Sequence, residues 1–214
     1  MRAYKETYLN HASKNLGNMF DYGINDCKIN GNLFIHMFIT SGLAEKFGRG
    51  NPKVIAGMSG VELAIFAIES ATGTKPAAKP AELYYRTEEY WAGWALAHYQ
   101  WYTAMSFSSI LRFIPFDDIL RMYPTLHEAD ITKFYATAEE IRKREFPQTN
   151  LKRIRDIAGL SQAQLAGEAG VSLRSIQMYE QRNKNINRAQ AITLAKIARV
   201  IGCDVEDLLE KGVE

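Results

Sequence analysis

The chain has 214 residues, a formal net charge of +2, 47% hydrophobic residues and 23% charged residues. That length accommodates one large domain or two modest ones, and the apolar share excludes wholesale disorder. No uncharged apolar run reaches the roughly 18 residues of a membrane-spanning helix, and MRAYKETYLN lacks a secretory apolar stretch, so a cytoplasmic protein that does not enter a membrane is expected.

Helical periodicity organises the first 148 residues. Tyr4, Tyr8, Ala12, Leu16, Met19 and Phe20 recur at helical spacing and predict a long first helix ending near Cys27. Leu33, Phe34, Met37 and Phe38 mark a second. Ser59-Gly60-Val61-Glu62 has the form of a capping box ahead of Leu63, Phe66 and Ala67. The stretch from Gly73 to Pro80 holds two prolines and no large apolar side chain, and reads as an exposed connector. Trp91, Trp94, His98 and Trp101 follow 3-4-3 spacing, one stripe of a helix over about residues 87–105. Thr125-Leu126-His127-Glu128 predicts the cap of a last helix leading toward the C-terminal region.

This region offers no evident reaction centre. His11, His36, His98 and His127 fall in separate predicted helices without HExxH or HxH spacing, and Cys27 and Cys203 belong to no CxxC or Cys/His cluster. Glu88-Glu89 and Asp117-Asp118 are adjacent pairs that share no helix face and suit helix N-termini instead. The loop from Gly48 to Lys53 lacks the GxxxxGK[ST] order and reads as a turn. An enzyme is therefore not expected, and no cofactor or metal is implied. The aromatic stripe has two readings. It packs a helical core, or part of it forms a partner-binding surface, with Trp91, Trp94, Trp101 and Tyr102 as the candidates.

Composition changes near Phe146-Pro147-Gln148-Thr149-Asn150. Of the 24 aromatic residues (10 Phe, 11 Tyr and 3 Trp), only Tyr179 lies beyond residue 148. Residues 1–148 carry 16 Lys/Arg and 16 Asp/Glu, whereas residues 150–199 carry 9 basic and 3 acidic side chains. The last 15 residues reverse the sign, with five acids against Lys211. Pro147 cannot continue a helix, and Thr149 or Asn150 can cap the next one. These signals predict domains at 1–148 and 149–214, the second with a basic block of the kind that binds phosphates.

Five short helical patterns follow. Leu151, Ile154 and Ala158 line the first, which Gly159 stops; Ser161 and Gln164 form a capping box for the second, which buries Leu165 and Ala166 and ends at Gly170. Ser172 caps a third, with Ile176 and Tyr179 inward. A fourth runs from about Arg188 to Ile201, with Ile192, Ala195 and Val200 available to the core, and Gly202 closes it. Asp204 caps a final turn carrying Val205, Leu208 and Leu209. The fold class is all-α, a multi-helix N-terminal domain followed by a five-helix one.

From Gln162 to Tyr179 the order is QAQLAGEAGVSLRSIQMY. Small Ala166 suits a close helix crossing, Gly170 the turn, and Val171 and Ile176 wedge the two helices together. With Glu180 ending the third helix and the closing IARVIGCDVEDLL, residues 151–209 resemble the helix-turn-helix of the lambda Cro/C1 repressor family, the XRE family. The resemblance implies a lambda-repressor-like fold whose third helix enters the major groove of double-stranded DNA. Carried over position by position, the base-facing residues are Leu173, Arg174, Gln177 and Met178. Arg174 has the chemistry for guanine, Gln177 for adenine, and Leu173 and Met178 for thymine methyls. Burial of Leu173 and Met178 against a protein surface is the alternative. Gln162, Ser172, Arg182, Lys184, Asn185 and Arg188 are the expected phosphate contacts. Arg155 and Glu180 correspond to a structural salt bridge. The family's glycine after the third helix is replaced by Gln181-Arg182-Asn183.

The expected function is a sequence-specific regulator of transcription, a homodimeric repressor on a palindromic operator. The alternative is an antitoxin, whose N-terminal domain masks a toxin enzyme while its C-terminal domain represses its own operon.

Overall fold

The computed structural model describes residues 2–81, 85–146 and 148–210. Pro147, invoked above as a helix stop, and Lys211 lie outside the described residues. Every regular element among the described residues is helical, and the chain divides into two compact units, Met1–Arg142 and Lys143–Glu214.

In the first unit, one 3-10 turn (Glu6–Tyr8) leads into α1 (Leu9–Asp21), which widens into a π turn (Tyr22–Asp26) and stops at Cys27. Then come α2 (Gly31–Thr40), α3 (Leu43–Gly48), α4 (Pro52–Ile55) and α5 (Gly60–Thr72). Next are α6 (Glu88–Thr103), α7 (Phe107–Leu111), α8 (Phe116–Leu126) and α9 (Ile131–Glu145). Ser59 and Glu62 make both halves of the capping box that starts α5. Glycine lets α1 and α6 approach closely. A Cβ on Gly93 would lie 2.7 Å from the Leu16 carbonyl oxygen, and one on Gly17 2.8 Å from that of Tyr90. Phe20 of α1 then meets Phe34, Phe38 and Phe116, forming the aromatic centre of the unit.

Three expectations change here. Helix α6 packs on α1, the rings of α8 and α9 meet Trp91, and the segment before α1 covers Trp101, so Trp91 and Trp101, each 7% exposed, follow the core reading of the stripe. The Trp101 indole donates to the Tyr4 carbonyl at 2.8 Å. Of the other two candidates, Trp94 is half-buried against the His98 ring, and Tyr102 stacks on Tyr135 beneath the Arg2 guanidinium. Second, residues Thr125–Glu128 start no helix, and His127 among them is the C-cap of α8. Thr125 and Leu126 finish α8, and the Asp130 carboxylate takes the Thr132 amide at the start of α9. Third, Leu33 and Phe66 lie on exposed faces of α2 and α5.

The second unit contains α10 (Asn150–Ile157), α11 (Gln162–Ala169), α12 (Leu173–Glu180), a 3-10 turn (Ile186–Arg188), α13 (Ala191–Ile201) and α14 (Val205–Leu208). Thr149, Ser161 and Ser172 accept amide hydrogens from residues three positions on, so each helix start is set locally. Leu151, Leu165, Ile176, Ile197 and Leu208 are the innermost core. The helix predicted from Arg188 starts at Ala191 instead, because Asn185 caps a separate turn and Gln190 is extended. Packing of α13 against α11 and α14 buries Leu194, Ile197, Ala198 and Ile201 and leaves Ile192 exposed; Ala158, the C-cap of α10, is exposed as well.

Candidate nucleic-acid interface

The interface is built from the α11–turn–α12 unit. Ser161 and Gln164 bond reciprocally at the start of α11. Gly170 ends α11 at φ 59, a left-handed conformation that glycine adopts without Cβ strain, and the Val171 amide returns to the Ala166 carbonyl at 3.0 Å. Val171 packs against the core and Ser172 opens α12, accepting the Ser175 amide and donating to the Ser175 hydroxyl. With 3.6 residues per turn, Ile176, Tyr179 and Glu180 point inward. The opposite face carries exposed Arg174 and half-buried Gln177 and Met178, and Leu173 is exposed at the first turn of the helix. Leu173 is 41% exposed, and Arg174 makes no ion pair among the described residues.

Glu180 anchors the inner face. Its carboxylate accepts from Arg155 Nε at 2.6 Å, from Arg155 Nη2 at 2.9 Å and from Gln162 Nε2 at 2.8 Å. Arg155 also donates to the Leu160 carbonyl and pairs with Asp156. These hydrogen bonds hold the Arg155 pKa above its ordinary value. The arrangement ties the C-terminal end of α12 to α10 and to the first residue of α11. A Gln162 side-chain amide hydrogen is therefore directed at Glu180, and the start of α11 is closed by the Ser161–Gln164 capping box.

The exit from α12 departs from expectation. Arg182 takes φ 58, a left-handed conformation that costs a non-glycine residue about 1 kcal/mol. Its guanidinium turns back onto the Phe146 carbonyl at 2.8 Å, the Gln148 carbonyl at 3.0 Å and Glu210 Oε2 at 3.5 Å. Arg182 was expected to reach a phosphate. Its head group is instead committed within the domain, leaving its side chain 17% exposed.

The remaining cations border an open cleft of about 510 Å³. Ser172 and Ser175 line one wall and Lys184 and Arg188 another, and α13 adds Gln190, Thr193 and Lys196. The Lys184 ammonium sits 5.3 Å from the centre of the Tyr179 ring, so its stem covers apolar surface while the charge faces water. Asn185 accepts the Asn187 amide and is occupied as a turn cap. Lys196 and Thr193 were not anticipated. They lie well over ten residues beyond α12, and only the packing of α13 against α11 brings them near. Their sole prior signal was membership of the basic block.

Residues 151–208 match the sequence profile of a helix-turn-helix family. Neither curated proteins nor solved structures give a significant match to the chain. With the capped α11, the glycine turn, the exposed face of α12 and the Arg155–Glu180 brace, residues 151–208 are a helix-turn-helix domain of the Cro/C1 type, a DNA-binding class of fold.

Proposed function

We propose that the protein is a sequence-specific, double-stranded DNA-binding repressor that acts as a homodimer on a palindromic operator. The face of α12 carries the proposal. Arg174, Gln177 and Met178 stand on the side of α12 away from its buried residues and Leu173 is exposed at its first turn, beside a cleft lined by Lys184, Arg188 and Lys196. In this reading Arg174 and Gln177 read base edges and Leu173 and Met178 cover thymine methyls. Gln162, Ser172, Lys184, Asn185 and Arg188 hold the backbone, and Lys196 joins them. One module of this size reads a few base pairs, so a second copy supplies the rest of the affinity. No catalytic step is assigned to either unit. The toxin-masking alternative drew on the aromatic-rich, charge-neutral N-terminal region; of the contacts named for it, Trp91 and Trp101 are buried and Trp94 and Tyr102 stay at least partly exposed.

The test is selection from a randomised duplex pool with the full chain. Enrichment of a two-fold symmetric site is expected. Arg174→Ala should then lose about 1–3 kcal/mol on that site and relax one base position. Equal loss on every sequence would remove Arg174 from the base-reading set.

A further inference from the structure

Glu210, an acid of the C-terminal tail, is held by both its side chain and its backbone. Its Oε1 accepts the Asn150 amide at 2.7 Å, and its Oε2 lies 3.5 Å from Arg182 Nη2. Its backbone exchanges two bonds with the Asn187 side chain: Glu210 N–H to Oδ1 at 2.9 Å, and Nδ2 to the Glu210 carbonyl at 3.0 Å. Beside it, Asn150 Nδ2 donates to the Leu209 carbonyl at 2.6 Å. Arg182 extends the knot to the Phe146 and Gln148 carbonyls. Three distant segments thus meet: the approach to α10, the exit from α12 and the end of α14.

The segment between the two grips, from Arg182 to Asn187, carries Lys184 and Asn185 and leads straight into Arg188. Ile186 anchors this loop in the core at 3% exposure and the Lys184 amide donates to the Met178 carbonyl, but the Lys184 and Arg188 side chains are exposed, and whatever freedom the loop retains must be lost on DNA at a cost in entropy. The strained φ of Arg182 persists because its guanidinium and Glu210 over-determine the exit geometry.

We infer that Arg182 and Glu210 are positioning residues for DNA binding, a latch that pre-orders the loop bearing Lys184, Asn185 and Arg188 without itself touching phosphate. The inference rests on the DNA-binding reading and replaces one of its expected contacts. It reverses a sign that plain electrostatics would give. Removing an acid from a DNA-binding domain strengthens association when only charge matters. If Glu210 holds the loop, its removal weakens association instead.

The experiment measures binding of the full chain to a fluorescein-labelled random-sequence duplex over a range of salt concentrations, for Arg182→Ala, Glu210→Ala and the double variant. Each single variant is expected to weaken binding by about three- to tenfold. The salt slope should stay that of the unaltered chain, and the double variant should be no weaker than the singles. Tighter binding by Glu210→Ala, together with a slope reduced by about one in Arg182→Ala, would overturn the latch and return Arg182 to the phosphate contacts. Amide hydrogen exchange across 183–188 in the DNA-free chain provides an independent readout. Glu210→Ala should speed exchange there, and unchanged exchange overturns the latch. If the unaltered chain binds no duplex, the DNA-binding reading fails, while the exchange result still decides whether the latch orders the loop.

Discussion

Replacing Glu180 by glutamine tests the brace beneath α12. The Glu180 side chain is 2% exposed and that of Arg155 8%, so neither gains much solvent when the pair is broken. Glutamine keeps the volume but removes the charge, and turns an N–H donor toward a site already receiving three donors, from Arg155 Nε, Arg155 Nη2 and Gln162. Removing one partner of a buried pair costs about 3–5 kcal/mol. Asp156 Oδ1 remains 2.6 Å from Arg155 Nη1 and shares its charge, which puts the expected loss near the lower end, about 3 kcal/mol. At roughly 0.1 kcal/mol per residue, a unit of this size has about 7 kcal/mol in all. The effect is thus a large fraction of its stability. Two signals from one urea titration separate the units. Trp91, Trp94 and Trp101 all lie in the first, so tryptophan fluorescence follows that unit, whereas helical circular dichroism follows both. With a slope of about 1 kcal/mol per molar urea, Glu180→Gln should lower the midpoint of the second unit by roughly 3 M and leave the fluorescence transition in place. A shift below about 0.5 M, or an equal shift in fluorescence, would refute the claim that this brace holds the second unit.

Two further predictions concern the first unit. Burial lowers the His98 pKa to about 4, below its unfolded value of roughly 6.5, so the unfolded chain binds the proton first. Stability should therefore be constant above about pH 6.5 and fall as pH drops toward 4; with partial solvent access the loss is about 1–2 kcal/mol, and His98→Gln should flatten the profile of urea midpoints against pH. A profile as steep in His98→Gln as in the unaltered chain would place the titration elsewhere. Gly93→Ala would set a Cβ 2.7 Å from the Leu16 carbonyl oxygen, and the forced separation of α1 and α6 should cost about 1–3 kcal/mol in the fluorescence-detected transition. An unaltered midpoint would show that the crossing has room to spare.

What the sequence determined by itself is local. Ser59 with Glu62, Ser161 with Gln164, and Ser172 with Ser175 act over three residues, so each helix start is legible without knowledge of the fold. Gly170 and Gly202 mark stops for the same reason, since both close helices in a left-handed conformation. The helix-turn-helix was legible because its framework, from Gln162 to Tyr179, is one contiguous run. Partition between core and surface was less so. The stripe of Trp91, Trp94 and Trp101 has one periodicity whether a helix is covered on one side or on several, and only tertiary packing, with α8 and α9 on Trp91 and the segment before α1 on Trp101, buries those two rings. Likewise Ile192 and Leu194 are both apolar residues of α13, and only its packing against α11 and α14 decides that Leu194 is buried and Ile192 exposed. The role of Arg182 is the furthest from the sequence. A cation after a recognition helix suggests phosphate, and its partners at Phe146, Gln148 and Glu210 lie 28 to 36 residues away. A charge carries no record in one dimension of which distant carbonyls it will face, so tertiary structure alone decides whether it binds a ligand or the protein itself.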